Sequence, residues 1–124
     1  MYELDHVAIY AKDPVALCKW YREVLNLEIV RELIDINNRP FYFLKSKDSK
    51  CTIEILATTE ERKERKLKDP GLSHLCFSVE DFDKAVSDLK SKGITVHDIR
   101  TTKHGWRIGY FEDPEGNTIE IVKR

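Results

Sequence analysis

The chain has few of the residues that mark crosslinked, disordered or membrane-spanning proteins. Its 124 residues include five glycines, four prolines and three cysteines. Cys18, Cys51 and Cys76 are odd in number and lie in apolar segments without motif spacing, which favours reduced, packed thiols with no catalytic role. No segment approaches the ~20 apolar residues of a transmembrane helix, and residues 1–13 lack the features of a signal peptide. The expected location is therefore cytoplasmic, with no membrane partner.

An excess of charge of either sign is also lacking. The chain carries 21 basic and 22 acidic residues, and 41% of its residues are hydrophobic. This balance gives no electrostatic basis for binding nucleic acid or an anionic membrane. Residues 1–124 are long enough for one domain with a buried core. The expected partner is a small molecule or another protein.

What the sequence does contain is an internal repeat. The tetrapeptide Thr-Ile-Glu-Ile occupies positions 52–55 and 118–121, and the pattern Leu-x-His occupies 4–6 and 72–74. Each histidine begins a strand-like segment, and each such segment precedes a segment with helical apolar spacing. The repeat therefore involves two whole modules and not a chance tetrapeptide.

Each half predicts one helix and three further strands. Asp13 and Pro14 suit the start of the first helix, and the second helix ends near Gly93. Turn residues separate the strand segments, which are predicted at 28–36, 39–46, 50–57, 94–101, 105–112 and 117–123. The order is βαβββ twice, an α+β fold. The predicted first module covers residues 1–58, a charged linker covers 59–70, and the second module covers 71–124.

Strand alternation places a histidine and a glutamate on the same face of each module. The isoleucines that flank Glu54 and Glu120 are expected to pack under the helix, so the two carboxylates face the side that carries His6 and His74. Two imidazoles and two carboxylates suit a divalent transition metal. The alternative is that each glutamate is solvated and each histidine is a hydrogen-bonded filler; duplication of all four positions favours the site.

The pattern resembles the vicinal-oxygen-chelate superfamily, which includes glyoxalase I, bleomycin-binding proteins and extradiol dioxygenases. The resemblance covers nearly the whole chain, and its carriers are LDHVAIYAKD, WYREVLNLEIV, LSHLCFSVEDFDKAVSDLKSKGI and GYFEDPEGNTIEIV. It implies two βαβββ modules forming an incomplete barrel around a metal, often in a homodimer that shares ligands. The strand edges that such modules leave open also favour a homodimer.

By this resemblance, the metal ligands are His6, Glu54, His74 and Glu120, a set similar to that of bacterial-type glyoxalase I. It implies a lyase or isomerase that uses Ni, Co, Zn or Mn to stabilise an enediolate of an α-oxo thiol adduct or a related oxygenated substrate. Glu120 is the first candidate for moving the proton, with Glu54 as a ligand or second shuttle.

The sequence departs from the glyoxalase I pattern at two positions that commonly contact the thiol co-substrate. The arginine and asparagine that commonly hold glutathione in glyoxalase I are replaced by Tyr10 and Thr58, so the resemblance leaves open whether the thiol is glutathione or another thiol. The alternatives are a metal-free module of the same fold that sequesters an antibiotic or hydrophobic ligand, or a fold without present activity. Among residues on neighbouring strands, the aromatic side chains of Phe43 and Tyr110 are expected in the core, and Arg39 and Arg107 are expected to be solvated.

Overall fold

The structure is a computed structural model that describes residues 1–124. Its elements follow the order βαβββ twice, as the sequence predicts. In the first half these are β1 (His6–Ala11), α1 (Pro14–Leu25), β2 (Glu28–Ile34), β3 (Pro40–Lys45) and β4 (Thr52–Ala57). In the second half they are β5 (Leu75–Ser78), α2 (Phe82–Ser91), β6 (His97–Thr101), β7 (Arg107–Glu112) and β8 (Thr118–Lys123).

The strands are shorter than the sequence pattern predicts, by up to three residues at one end. The largest difference is at β6, which begins at His97 where position 94 is expected. Residues 94–96 connect α2 to the sheet, and Val96 is buried although it lies outside the strand. Periodicity of apolar residues continues into such connections, so it does not mark where the ladder of hydrogen bonds begins.

The chain divides into two compact units, residues 1–62 and 63–124. Each contains one four-stranded sheet, with strand order β1-β4-β3-β2 in the first and β5-β8-β7-β6 in the second. The first and last strands of each unit pair in parallel, whereas the remaining neighbours are antiparallel. The charged segment 59–70 contains neither helix nor strand.

The two helices begin at aspartate caps. The side chain of Asp13 accepts a hydrogen bond from the N–H of Ala16 at 3.0 Å, and Asp81 accepts one from Lys84 at 3.0 Å. These bonds satisfy backbone donors that the first turn leaves without partners. Helix α1 ends at Asn26, which adopts the left-handed conformation with φ of 57°.

Each helix covers one face of the sheet in its own unit. The core of each unit lies between that helix and that sheet. In the first unit, Leu17 and Tyr21 of α1 are buried on the same side as Leu44 and Ile55. In the second unit, α2 packs on the sheet through the buried side chains of Phe82 and Leu89, and the buried strand residues include Phe111, Ile119 and Ile121. The isoleucines beside Glu54 and Glu120 are therefore core residues, as the repeat predicts, and the glutamates face the other way.

Three hairpin turns, at residues 35–39, 102–106 and 113–117, share the same five-residue hydrogen-bonding pattern. In each turn the N–H of the first residue donates to the carbonyl of the last, at 2.8, 2.8 and 3.0 Å. The fourth residue of each turn has a positive φ, and these residues are Asn38, Gly105 and Gly116. Asparagine and glycine tolerate this conformation better than other residues, so the turn residues suit their positions.

Candidate functional site

The first unit brings His6 and Glu54 together on the sheet face opposite α1. His6 is the first residue of β1, and Ala8, two residues on, is paired with Glu54 of β4. His6 Nε2 lies 3.5 Å from Glu54 Oε1. The His6 ring also contacts Phe43 of β3 edge-on, with ring centroids 5.6 Å apart.

The second unit repeats this arrangement with His74 and Glu120. His74 lies one residue before β5, and Cys76 is paired with Glu120 of β8. His74 Nε2 lies 3.6 Å from Glu120 Oε2, and the His74 ring contacts Tyr110 edge-on at 5.7 Å. The duplicated sequence positions therefore have duplicated geometry, including the aromatic ring that packs against each imidazole.

The second nitrogen of each imidazole is held by the preceding residue. His6 Nδ1 is 2.7 Å from a carboxylate oxygen of Asp5, and His74 Nδ1 is hydrogen-bonded to the hydroxyl of Ser73 at 2.8 Å. The hydrogen bond with Asp5 raises the pKa of His6, and the charge of Glu54 adds to this effect. Both rings are thus fixed with Nε2 directed at a carboxylate.

The two imidazole–carboxylate separations are longer than those of strong hydrogen bonds. Separations of 3.5 and 3.6 Å exceed a good hydrogen bond. They are close to the spacing of two ligands that each lie ~2.0–2.2 Å from one ion. The structure contains no group of three or more His, Cys, Asp and Glu side chains that could hold a metal ion. Each unit contains one His–Glu pair, His6 with Glu54 and His74 with Glu120.

Glu120 has additional partners that the sequence did not predict. The Cys76 thiol donates a hydrogen bond to Glu120 Oε1 at 3.0 Å, and the Tyr110 hydroxyl interacts with the same carboxylate. Desolvation around the side chain, followed by the interaction with Glu120, raises the pKa of Cys76 to about 12 and that of Tyr110 to about 12. Both groups keep their protons at neutral pH and act as donors.

The expectation that all three cysteines are packed is wrong for Cys76. Cys18 is buried and Cys51 is half-buried, but Cys76 is exposed on the same face as His74, and its sulfur atom contacts Glu120. Strand alternation from His74 predicts the face on which Cys76 lies, because residues two apart on a strand share a face, but it does not predict the contact with Glu120.

Two arginines that the sequence left as solvated have structural partners. Arg39 donates to the backbone carbonyls of Lys12 at 3.1 Å and Thr58 at 3.5 Å, and so links the residues that follow β1 and β4. The guanidinium of Arg107 lies over the ring of Phe82, 5.6 Å from its centroid. Arg107 is thus on the helix side of its sheet, away from Glu120.

His97 forms a separate cluster beside Tyr110. Its Nδ1 is 2.6 Å from a carboxylate oxygen of Asp98 and its Nε2 is 2.7 Å from Glu112 Oε1. These two hydrogen bonds raise the pKa of His97. The ring also stacks on Tyr110, with centroids 6.4 Å apart. The cluster therefore supports the tyrosine that interacts with Glu120.

A sequence model of the Glyoxalase/Bleomycin resistance protein/Dioxygenase superfamily matches residues 3–121. The chain belongs to this superfamily. Its relatives include the uncharacterized protein YwkD of Bacillus subtilis, 29% identical over 98% of this chain and 96% of that protein. The crystal structure of a glyoxalase family protein from Enterococcus faecalis superposes with a TM-score of 0.83, at 28% identity over 98% of this chain and 97% of the other.

Two more distant structures share the fold and carry different names. Lactoylglutathione lyase from Agrobacterium tumefaciens has a TM-score of 0.70 at 23% identity, and covers 97% of this chain and 92% of its own. TnmS3, an antibiotic binding protein from Streptomyces sp. CB03234, has a TM-score of 0.76 at 17% identity, over 98% and 94%. The superfamily fold thus occurs in an enzyme and in a binding protein, so the residues of the site must decide between them.

Proposed function

We propose that the protein is a metal-dependent lyase or isomerase of the glyoxalase I type. The observation that carries the proposal is the pair of equivalent His–Glu contacts, each with the far imidazole nitrogen held by the preceding residue. The proposed ligands of a divalent transition metal, Ni, Co, Zn or Mn, are His6, Glu54, His74 and Glu120. A site of four such ligands leaves positions for substrate when the ion is six-coordinate.

The reaction would move a proton between adjacent carbons of an α-oxo thiol adduct or a related small oxygenated substrate. The bound metal would act as a Lewis acid that lowers the energy of the enediolate. One of the two glutamates would accept the proton from the first carbon at a carboxylate oxygen and return it to the second. Phe43 and Tyr110 pack edge-on against the imidazoles and keep them from turning away from the carboxylates.

The thiol of the adduct need not be glutathione. Tyr10 is 66% exposed and lies on the same face of β1 as His6, where an aromatic ring takes the place of a cation. The hydroxyl of Thr58 accepts a hydrogen bond from the N–H of Glu60 at 3.1 Å, so it is engaged in the local turn. Neither residue supplies the charge-assisted contact, worth about 1.5–3 kcal/mol, that an arginine gives to a carboxylate.

The test is elemental analysis followed by titration with the hemithioacetal of methylglyoxal and glutathione. We expect stoichiometric Ni, Co, Zn or Mn that is lost in both His6→Ala and His74→Ala. His104→Ala is the matched control, because that ring packs beside Trp106 in the 102–106 turn and contacts neither imidazole–carboxylate pair. Turnover with a different thiol and little with glutathione would support the chemistry and reassign the thiol. Protein that binds no transition metal would contradict the proposal.

The second candidate is a metal-free protein that sequesters an antibiotic or hydrophobic ligand. The observation in its favour is the apolar character of the His6 face, where Phe43 and Leu56 are only half-buried and Tyr10 is exposed. Such surfaces bind aromatic compounds through burial of apolar area. Saturable binding of an aromatic ligand by chelated protein, unchanged in His6→Ala, would favour this candidate over the enzyme.

A further inference from the structure

The two His–Glu pairs differ in the side chains that surround the carboxylate. In the second unit, strand pairing puts Cys76 of β5 and Tyr110 of β7 on either side of Glu120. The thiol donates to Glu120 Oε1 at 3.0 Å, and the phenol hydroxyl interacts with the same carboxylate. The other oxygen, Oε2, is the atom that faces His74. Both oxygens of Glu120 are therefore engaged.

In the first unit the equivalent positions carry no donor. Strand pairing puts Ala8 of β1 and Phe43 of β3 on either side of Glu54. A methyl group and a phenyl ring cannot donate a hydrogen bond to a carboxylate. Glu54 Oε1 faces His6, and the Glu54 side chain is 15% exposed, close to the 14% of Glu120, so the two carboxylates differ in hydrogen-bond donors and not in burial. The backbone frameworks match, so this difference comes from two side chains alone.

We propose that Cys76 and Tyr110 are positioning residues that fix the carboxylate of Glu120 as a permanent metal ligand and leave Glu54 as the group that carries the proton. This inference rests on the proposed function, and it reverses the roles that the superfamily resemblance implies for the two glutamates. A carboxylate that moves a proton must present an oxygen atom to the substrate. Glu120 would have to break two hydrogen bonds to do so, whereas Glu54 would break none.

The first test replaces the two hydrogen-bond donors beside Glu120 with the residue types found beside Glu54. Cys76→Ala and Tyr110→Phe introduce the residues found beside Glu54, and Tyr110→Phe keeps the ring that packs with Ile108 and Val122. We expect each variant to bind Ni²⁺ several-fold more weakly, and the double variant about 10–100-fold more weakly, in competition with a chromophoric chelator. Cys76→Ser retains a donor and should bind nearly as the parent protein does. Unchanged affinity in Cys76→Ala and Tyr110→Phe would overturn the proposal.

The second test compares the two carboxylates directly. Glu54→Gln should lose at least 100-fold in kcat while changing Ni²⁺ affinity less than Glu120→Gln does. Glu120→Gln should lose metal first and regain part of its turnover when Ni²⁺ is raised to saturation. The opposite pattern, full metal binding with no turnover in Glu120→Gln, would return the proton transfer to Glu120.

A third readout needs no metal. The thiol of Cys76 is hydrogen-bonded to a carboxylate, so in Glu120→Gln its alkylation by iodoacetamide should become faster, as followed by mass spectrometry of the Cys76 peptide. Cys51, on the other unit, serves as the internal reference. Equal rates in the parent protein and Glu120→Gln would show that the contact is not formed, whatever the outcome for the metal. Faster alkylation without any metal binding would support the contact and reject the proposed function.

Discussion

At the scale of single residues, Gly109 sets how closely helix α2 approaches its sheet. A Cβ atom at this position would lie 2.6 Å from a methyl carbon of Val96, 3.2 Å from Ile99 Cγ1 and 3.3 Å from the ring of Phe82. We expect Gly109→Ala to lower the free energy of unfolding by about 1–3 kcal/mol, because close-packed interiors do not yield to an added methyl group. Urea denaturation followed by circular dichroism measures this loss.

Two comparisons test the steric cause. Gly93 has nothing within 4 Å of an added Cβ but has a φ of +82°, so Gly93→Ala should cost only the backbone strain of about 1–2 kcal/mol. Adding Val96→Ala should recover part of the Gly109→Ala loss and none of the Gly93→Ala loss. The steric explanation would be contradicted if the effects of Gly109→Ala and Val96→Ala on the free energy of unfolding were simply additive.

For the candidate site residues, the sequence predicts which face of a strand each side chain occupies, because side chains alternate along a strand. Duplicated Leu-x-His and Thr-Ile-Glu-Ile segments predict that His6 and Glu54 share a face, and they lie 3.5 Å apart. The contact of Cys76 with Glu120 depends on the pairing of β5 with β8, 44 positions away along the chain. Periodicity reports the face of a strand but not its neighbour, so a thiol–carboxylate contact of this kind is not visible to it.

At the scale of secondary-structure elements, the hairpin turns determine which strands pair and in which register. Asp113 is the most buried polar residue among them, at 5% exposure. Its carboxylate accepts from the N–H groups of Glu115 and Asn117 and from the Asn117 side chain, each at 2.9 Å. The turn therefore holds β7 against β8, the strand that carries Glu120.

We expect Asp113→Ala to lower the free energy of unfolding by about 1–3 kcal/mol, because it leaves backbone N–H groups of a buried turn without an acceptor. Asp35 makes the equivalent bonds in the first unit, to Asn37 at 2.8 Å and Arg39 at 2.9 Å, but it is less buried. Asp35→Ala is therefore the matched control and should cost less. Equal losses in thermal or urea unfolding would show that burial of the turn is not the cause.

Element type and order were predictable because each helix and strand has the matching apolar period and a turn or cap at its end. Asp13 and Pro14 begin α1 as expected, and the two asparagines at 37 and 38 form a turn. The ends of the strands were less predictable, because a strand ends where its partner does. The bulge between His97 and Arg100, at which Asp98 has a φ of 52°, has no signal in the sequence pattern.

At the scale of the whole molecule, β2 and β6 are edge strands that pair with another strand on one side only. Strand β2 forms an edge of the first sheet and exposes Val30, Leu33 and Ile34, and β6 forms an edge of the second and exposes Ile99. Neither helix of the chain is long and apolar enough to span a membrane. Apolar side chains on unpaired edges are commonly covered by a second chain.

We therefore expect a homodimer in the micromolar range, measured by sedimentation equilibrium. Ile34→Lys should weaken association, because a charge on the edge strand opposes burial in an interface. Val15→Lys, at an exposed apolar position of helix α1, is the matched control and should leave the association constant unchanged. A monomer at all concentrations up to 100-fold above this range would contradict the expectation.

The parallel pairing of β1 with β4 has a consequence for mechanical force. The six matched positions run from His6 opposite Thr52 to Ala11 opposite Ala57, so the entry and exit of the first unit lie at opposite ends of one ladder. Tension applied along the chain pulls these strands past each other, and all of the hydrogen bonds between them share the load at once. Each unit therefore resists tension that shears its first strand against its last. The first unit would open at a lower force if the force pulled β2 away from β3, because the hydrogen bonds would then break one after another.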